Sequence, residues 1–256
     1  ELGVIGCFNI QYAIKNDELF VLEVNPRGSR TFPFVAKSTG IPLARIAARL
    51  TMGDLLSDLN IPERQEEAVA VKAPVFPFIK LRGLDPAPGP EKKSTGEVMG
   101  SHKNAAAAYL KARMATEIPV PTHGGVYITV KDSDKESIIP LAKSLKDMEF
   151  DLYATRGPAA ILRERGGLEV NSAYRIAEQG SPDALDLMRD GKIQLIINTP
   201  TNSGGAVLDG NMMRRLAVEL NIPFVTTLSG ATMEVQAVAE MIKGLPEPRS
   251  LTIGTV

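Results

Sequence analysis

Disulfides, zinc and membranes are the first things this sequence argues against. It holds one cysteine, Cys7, and two histidines, His102 and His123, in 256 residues. A single cysteine excludes an internal disulfide framework and fits a reducing compartment. So few thiol and imidazole donors argue against a zinc site of ordinary ligand type. With 29 Lys and Arg against 30 Asp and Glu, the formal net charge is −1. That balance gives no field for holding nucleic acid or an acidic membrane non-specifically, so any anion site has to be local. No apolar run approaches the length of a membrane span, and the first residues lack a basic-then-apolar signal pattern. No internal repeat or low-complexity tract stands out. The expectation is a soluble cytoplasmic protein with no nucleic-acid and no membrane partner.

What is present is a globular composition, 44% apolar and 23% charged, enough for one large or two ordinary domains with a substantial core. One stretch concentrates chemistry: Leu22-Glu23-Val24-Asn25-Pro26-Arg27, with Gln11 before it and Arg30 after it. Strand alternation puts Glu23 and Asn25 on one face, and Pro26 ends the ladder. Cys7 to Ile14 and Leu19 to Asn25 read as a hairpin across Lys15-Asn16-Asp17-Glu18, pairing Gln11 near Glu23 and Asn9 toward Asn25. Hard oxygen donors of this kind suit Mg²⁺, and guanidinium forks suit phosphate oxygens. The bland alternative is an acidic strand end whose charges pair with nearby arginines.

The first six residues read as a helix end leading into a strand. Helices are expected over Phe32 to Ser38 and Leu43 to Met52, with Ile46, Leu50 and Leu55 on one face. Val69 to Lys80 has strand chemistry interrupted by Pro74 and Pro77, which implies an edge or irregular ladder. Gly83 to Pro90 is a loop. An alanine-rich helix from Asn104 to Ala115 follows, with Asn104 as its cap. Pro119 and Pro121 mark a boundary, giving domains over 1–117 and 118–256. Beyond it strands and helices alternate, the signature of a parallel α/β sheet. Strands are expected at Gly125 to Val130, Phe150 to Thr155, Leu168 to Tyr174, Gln194 to Asn198 and Phe224 to Thr227. Helices are expected at Asp134 to Met148, Pro158 to Arg165, Pro182 to Asp190, Asn211 to Leu220 and Thr232 to Lys243. Ile138, Leu141, Leu145 and Met148 mark the buried face of the first of these. In such a sheet, ligands bind beyond the carboxyl ends of the strands. Three loops lie there: Thr129 to Lys135, Thr155-Arg156-Gly157-Pro158 and Asn198 to Gly205. Their hydroxyls, glycines and N–H groups could cradle phosphate, with Lys135 and Arg175 supplying charge; ordinary strand-to-helix turns are the alternative.

Asn9-Ile10-Gln11-Tyr12-Ala13 followed by Leu22 through Thr31 resembles the metal-binding end of an ATP-grasp domain. Pro33 to Gly40 and Ser94-Thr95-Gly96-Glu97-Val98-Met99-Gly100 resemble, more narrowly, the large chain of carbamoyl phosphate synthase. The α/β segment after about Ile118 is similar to that family's regulatory domain, which has a methylglyoxal synthase-like fold. The resemblance covers the whole chain and implies an α/β fold class: a truncated α+β ATP-grasp portion, then an open parallel sheet. It implies a ligase that makes carbamoyl phosphate from bicarbonate, glutamine-derived ammonia and two ATP, serving pyrimidine and arginine biosynthesis. Gln11, Glu23 and Asn25 match cation ligands for Mg²⁺ or Mn²⁺, with K⁺ an accompanying ion. Arg27 and Arg30 match arginines on the ATP phosphates, with catalytic roles. Thr129, Lys135, Thr155, Arg175 and Asn198 match contacts to a nucleotide effector of the UMP or IMP type. Pro158 and Pro200 stand where some members carry threonine, removing hydroxyl and backbone donors. Ala73 and Phe224 replace an acidic residue and a tyrosine at an ornithine site that retains Thr226, so little ornithine activation is expected. The implied partner is a small glutaminase subunit. The isolated piece, lacking the half-site that covers the nucleotide, is expected to be inactive.

Two other readings remain. A free-standing phosphate lyase of the methylglyoxal synthase type needs a carboxylate beside the cradle, and Asp151 and Asp209 read as surface or capping residues. An oligomerisation module could form homo-oligomers through the helix Thr232 to Lys243, against the simpler packing of that helix on its own sheet. His123 reads as a loop hydrogen-bonder, Cys7 as a small strand residue, and Glu63, Glu66 and Glu67 with Arg64 as a solvated face.

Overall fold

A computed structural model describes residues 2–61, 68–76, 94, 96–178, 180–200, 205–248 and 250–251, without the side chains of 177, 205 and 206. The segments Glu63 to Glu67, Pro77 to Lys80, Gly83 to Pro90 and the middle of the loop from Asn198 to Gly205 lie outside the described residues.

The chain opens on an antiparallel hairpin, β1 (Asn9–Lys15) and β2 (Glu18–Asn25). Asn16 and Asp17 adopt positive φ angles of 52° and 62°, the backbone that a two-residue hairpin turn requires. From that turn a regular ladder would place Gln11 opposite Leu22. A bulge between Gln11 and Tyr12 instead sets Gln11 against Glu23 and Asn9 against Asn25. Two helices follow, α1 (Thr31–Thr39) and α2 (Leu43–Thr51). Ile46 is buried on α2 as expected, but Leu55 is 64% exposed. The helix stops at Thr51, and Gly53 turns the chain at φ 107°, carrying Leu55 off the apolar stripe. Cys7 lies just ahead of β1 rather than in it.

A second antiparallel pair joins β3 (Val69–Val75) to β4 (Gly96–His102). In a two-stranded ladder both strands are edges, so Pro74 is tolerated opposite Glu97. The strand β4 was not expected from the motif that contains it. Its glycines disguise it, and Gly100 is needed because a Cβ there would lie 2.0 Å from the Ala108 carbonyl oxygen. That carbonyl belongs to α3 (Ala105–Met114), whose alanine content favours helix and whose cap is Asn104, accepting from the Ala106 N–H at 2.8 Å.

The remaining residues form a three-layer α/β/α unit. Five parallel strands run in the order β7-β6-β5-β8-β9: β5 (Gly125–Thr129), β6 (Asp151–Thr155), β7 (Asn171–Ala173), β8 (Ile193–Asn198) and β9 (Phe224–Val225). The helices are α4 (Ile139–Asp147), α5 (Arg156–Glu164), α6 (Ala184–Arg189), α7 (Gly205–Glu219) and α8 (Leu228–Lys243). Alternation sorts the strand residues between layers. Val126, Ile128, Leu195 and Ile197 face α4, α5 and α8, whereas Tyr127, Ile193 and Ile196 face α6 and α7. Burial on both faces explains the nearly continuous apolar runs of β5 and β8.

Several expectations need correction: the helix expected from Thr232 starts four residues earlier, at Leu228, and residues 2–6, expected as a helix end, hold no helix. The helix at Asp134 to Met148 starts only at Ile139, because Asp132–Asp134 makes a 3-10 turn ahead of Pro140. The strand over Leu168 to Tyr174 shrinks to Asn171–Ala173, which pairs with Tyr153 to Thr155 alone. The helix at Asn211 begins six residues earlier, at Gly205. The face of α8 offered for oligomerisation is used within the chain, since Ala231, Val235 and Val238 pack on the sheet. Among the described residues no helix is long and apolar enough to cross a membrane.

Candidate functional site

Two sites emerge, one on the hairpin and one on the parallel sheet. On the hairpin the bulge does the positioning. Gln11 and Glu23 face each other across the ladder, as do Asn9 and Asn25, so all four share a face. Asn25 donates from Nδ2 to Glu23 Oε1 at 2.9 Å. That bond uses the amide's donor and leaves Asn25 Oδ1, Glu23 Oε2 and Gln11 Oε1 as oxygen donors on a strand pair. A carboxylate with two amide oxygens is a donor set that suits a hard cation. Past the strand end, Arg27 turns back, its N–H on the Asn25 carbonyl at 2.8 Å and its Nη1 on the Gly28 carbonyl at 3.0 Å. Arg30 instead reaches across the fold, donating from Nη1 to the Ser94 carbonyl at 3.1 Å. Ser29 satisfies the start of α1, accepting from Thr31 and Phe32.

The second site lies where the sheet order reverses. The chain runs from β5 outward through β6 and β7, then returns to the other side of β5 as β8. Ligands of open parallel sheets bind at this switch point. Here Thr129 and Asn198, the last residues of β5 and β8, are register partners, and a cavity of about 390 Å³ opens beyond them. All five residues expected of an effector site, Thr129, Lys135, Thr155, Arg175 and Asn198, line it. Pro158 and Pro200 line it too.

Each side chain is held differently. Thr155 is buried and caps α5 without a side-chain hydrogen bond to that helix, leaving the helix's first N–H groups to another acceptor. The Lys135 ammonium stands over the same turn, 3.1 Å from where a Cβ on Gly157 would be. It is paired with Asp132 at 2.7 Å, and that bond holds the Asp132 carboxyl below its ordinary value. Asn198 is clamped, with Oδ1 accepting from Arg214 Nη1 at 2.7 Å and Nδ2 directed at the Thr129 carbonyl 3.5 Å away. Thr199 closes the floor, its N–H on the Thr129 carbonyl and its Oγ1 accepting from the Lys131 N–H at 3.0 Å.

Several of these residues escaped sequence reasoning. Arg214 is buried on α7 and also donates to Asn211 Oδ1. Its signal was spacing: Gly210, one turn earlier, leaves room where a Cβ would meet the guanidinium at 2.8 Å. Tyr127 forms part of the wall, and burial pushes its hydroxyl above the ordinary range, with Asp183 and Asp209 adding to the effect. Asp209 and Asp132 line the cavity as well, so the expectation that Asp209 is only a surface or capping residue needs correction. Asp209 reaches it because α7 begins earlier than expected. Asp151, at the opposite end of β6, does not reach it. His123 bonds in its loop as expected, 3.3 Å from Thr122 Oγ1.

These two arrangements define a class: a bulged hairpin whose end gathers oxygen donors and arginines, followed by an open parallel α/β unit with a cavity at its switch point. Residues 1–59 match the family "Carbamoyl-phosphate synthase L chain, ATP binding domain", and residues 137–226 match the "MGS-like domain". Over nearly its whole length the chain is homologous to the carboxy-terminal section of carbamoyl phosphate synthase large chains. It is 46% identical over 255 residues to the large chain of Methanothermobacter thermautotrophicus, covering 98% of this chain and 24% of that one. It is 42% identical over 254 residues to the large chain, C-terminal section, of Methanocaldococcus jannaschii, covering 95% and 41%. The corresponding section of Methanopyrus kandleri is 44% identical over 249 residues, covering 94% and 45%. The chain thus spans about a quarter of a full-length relative and under half of the C-terminal sections. A solved methylglyoxal synthase from Elizabethkingia anophelis NUHP1 aligns at a TM-score of 0.37 and 17% identity, covering 45% of this chain and 79% of that one.

Proposed function

We propose that the hairpin end forms one wall of an ATP-dependent carbamate-phosphorylating site, and that the sheet cavity binds a nucleotide effector that regulates it. The observation that carries the first part is the bulged register, which gathers Gln11, Glu23 and Asn25 on one face just ahead of Arg27. These residues fit Mg²⁺ or Mn²⁺: the three oxygens would hold the cation, which would draw charge from the nucleotide phosphates when bound. Arg27 and Arg30 hold the phosphoryl oxygens, a role in which positioning and electrostatics supply most of the catalysis. The ammonia comes from a glutaminase partner subunit. Residues 1–256 alone do not complete the reaction. In support, Ile14, Leu19, Val21 and Leu22 of the hairpin are exposed, apolar surface suited to packing under the rest of an ATP-binding domain. The test is carbamoyl phosphate synthesis by the full-length large chain with its small subunit. Glu23→Ala is expected to lower the rate by at least about a hundredfold, with bicarbonate-dependent ATP hydrolysis retained. Full synthesis by the variant, or by residues 1–256 alone, overturns the reading.

Asp209 in the cavity wall favours one second reading, proton abstraction from a triose phosphate with elimination of phosphate. Methylglyoxal formation by the purified chain, abolished in Asp209→Asn, would establish it.

A further inference from the structure

Between α3 and α8 lies a carboxylate that neither site uses. Glu234 of α8 has no solvent exposure, and a buried carboxylate is tolerated only with good partners. All its partners come from α3. Arg113 donates from Nε to Oε2 at 2.9 Å and from Nη2 to Oε1 at 3.1 Å, and the Tyr109 hydroxyl donates to Oε2 at 2.9 Å. Tyr109 and Arg113 are one helical turn apart and so share a face. Burial, with Glu234 next, holds the Tyr109 hydroxyl above its ordinary range, so it keeps its donor. Asn104 to Glu240 and Lys111 to the Glu247 carbonyl extend the seam.

The seam leads in both directions. Toward the cavity, Val235 and Val238 of α8 pack with Ile128 and Ile197, the residues just before Thr129 and Asn198. Away from it, α3 lies directly on β4: a Cβ on Gly100 would meet the Ala108 oxygen at 2.0 Å and the Ala112 nitrogen at 2.5 Å. With backbone against backbone, α3 cannot shift without β4. Glu97 of β4 pairs with Lys72 of β3 at 3.1 Å, and Lys72 donates to Thr31 Oγ1 at 3.0 Å. Arg30 is tied to the Ser94 carbonyl, two residues ahead of β4.

We infer that Glu234 is a positioning residue: its clasp on Arg113 and Tyr109 fixes the register of α3 against α8, and thereby couples the packing behind the cavity to Arg30. Apolar contact alone would hold two helices together yet let them slide; a two-pronged guanidinium–carboxylate bond sets one geometry. That Arg30 meets phosphate rests on the function proposed above, whereas the mechanical link does not.

Hydrogen exchange on residues 1–256 tests this directly. Glu234→Gln keeps the size of the side chain but removes the second acceptor for the fork. The expected result is about tenfold faster amide exchange in α3, in β3 and β4, and at Thr31–Thr39, with β5 and β6 unchanged. Tyr109→Phe, which keeps the ion pair, should give the same pattern at smaller amplitude, about twofold. Acceleration confined to α3 and α8, with Thr31–Thr39 at the wild-type rate, overturns the inference. If Glu234→Gln does not fold, Tyr109→Phe decides by the same criterion. No synthase assay enters, so failure of carbamoyl phosphate synthesis would sink the function and leave this link standing. Unchanged exchange at Thr31–Thr39 would do the reverse.

Discussion

At the scale of single residues, the proposed effector role makes Lys135 the side chain to test, because it lines the cavity. Asp132 already pairs with its ammonium at 2.7 Å, so an incoming phosphate would compete with an internal anion for it. Asp132→Asn is therefore expected to tighten inorganic phosphate binding several-fold. Gly157→Ala should act oppositely: its Cβ would stand 3.1 Å from the Lys135 ammonium and push it off the first turn of α5. Because alanine favours helix over glycine by about 1 kcal/mol, that variant should bind phosphate more weakly while melting no lower. Calorimetry and a thermal melt separate the two effects. Two tyrosines set the alkaline limit. Tyr109 and Tyr127 are held above the ordinary value of 10.0, burial being the largest cause in each. A raised folded-state pKa gives a contribution fully present below pH 10 and lost as pH rises toward the folded value. Stability should thus fall above pH 10 by about 1.4 kcal/mol per pH unit for each tyrosine. Urea unfolding between pH 9 and 11 reads the slope, and Tyr109→Phe should make it shallower.

At the scale of elements, the close approach of α3 to β4 has the sharpest consequence. Gly100→Ala would put a methyl group inside contact distance of two backbone atoms that cannot rotate away. A loss of about 2–4 kcal/mol is expected, read as a drop in the urea midpoint; an unchanged midpoint would mean that α3 is free to move. The elements also show where sequence is legible. Alternating Glu23 and Asn25, the Asn16-Asp17 turn and the buried face at Ile138 and Leu145 depend on local pattern and were readable. The pairing of Gln11 with Glu23 was expected and is present, but the bulge that produces it was not, because it is a cross-strand event with no local mark. The strand β4 was hidden by glycines whose purpose is a contact with α3, and β7 was overextended because its pairing stops after three residues. For the cavity, the five expected side chains were named from resemblance. The clamp by Arg214 and the wall of Asp209 depend on α7, whose start the sequence did not mark, whereas Tyr127 lies on β5, which was expected.

On the scale of the whole chain, stability is unevenly distributed. The parallel sheet is covered on both faces, whereas the β1–β2 hairpin is an isolated pair with apolar side chains in solvent. Two-stranded pairs are marginal alone, so limited proteolysis of residues 1–256 should cut within 2–61 well before the sheet is lost. The cavity of the carboxy-terminal unit is lined wholly by residues of that unit, so the binding proposed for it can be tested on residues 1–256. Calorimetric titration of UMP and of inorganic phosphate into residues 1–256, beside Lys135→Ala, is therefore the most direct measurement. The account predicts saturable binding of at least one of the two, weakened at least about tenfold by Lys135→Ala. No saturable binding of either, or equal binding by the folded Lys135→Ala variant, would contradict it.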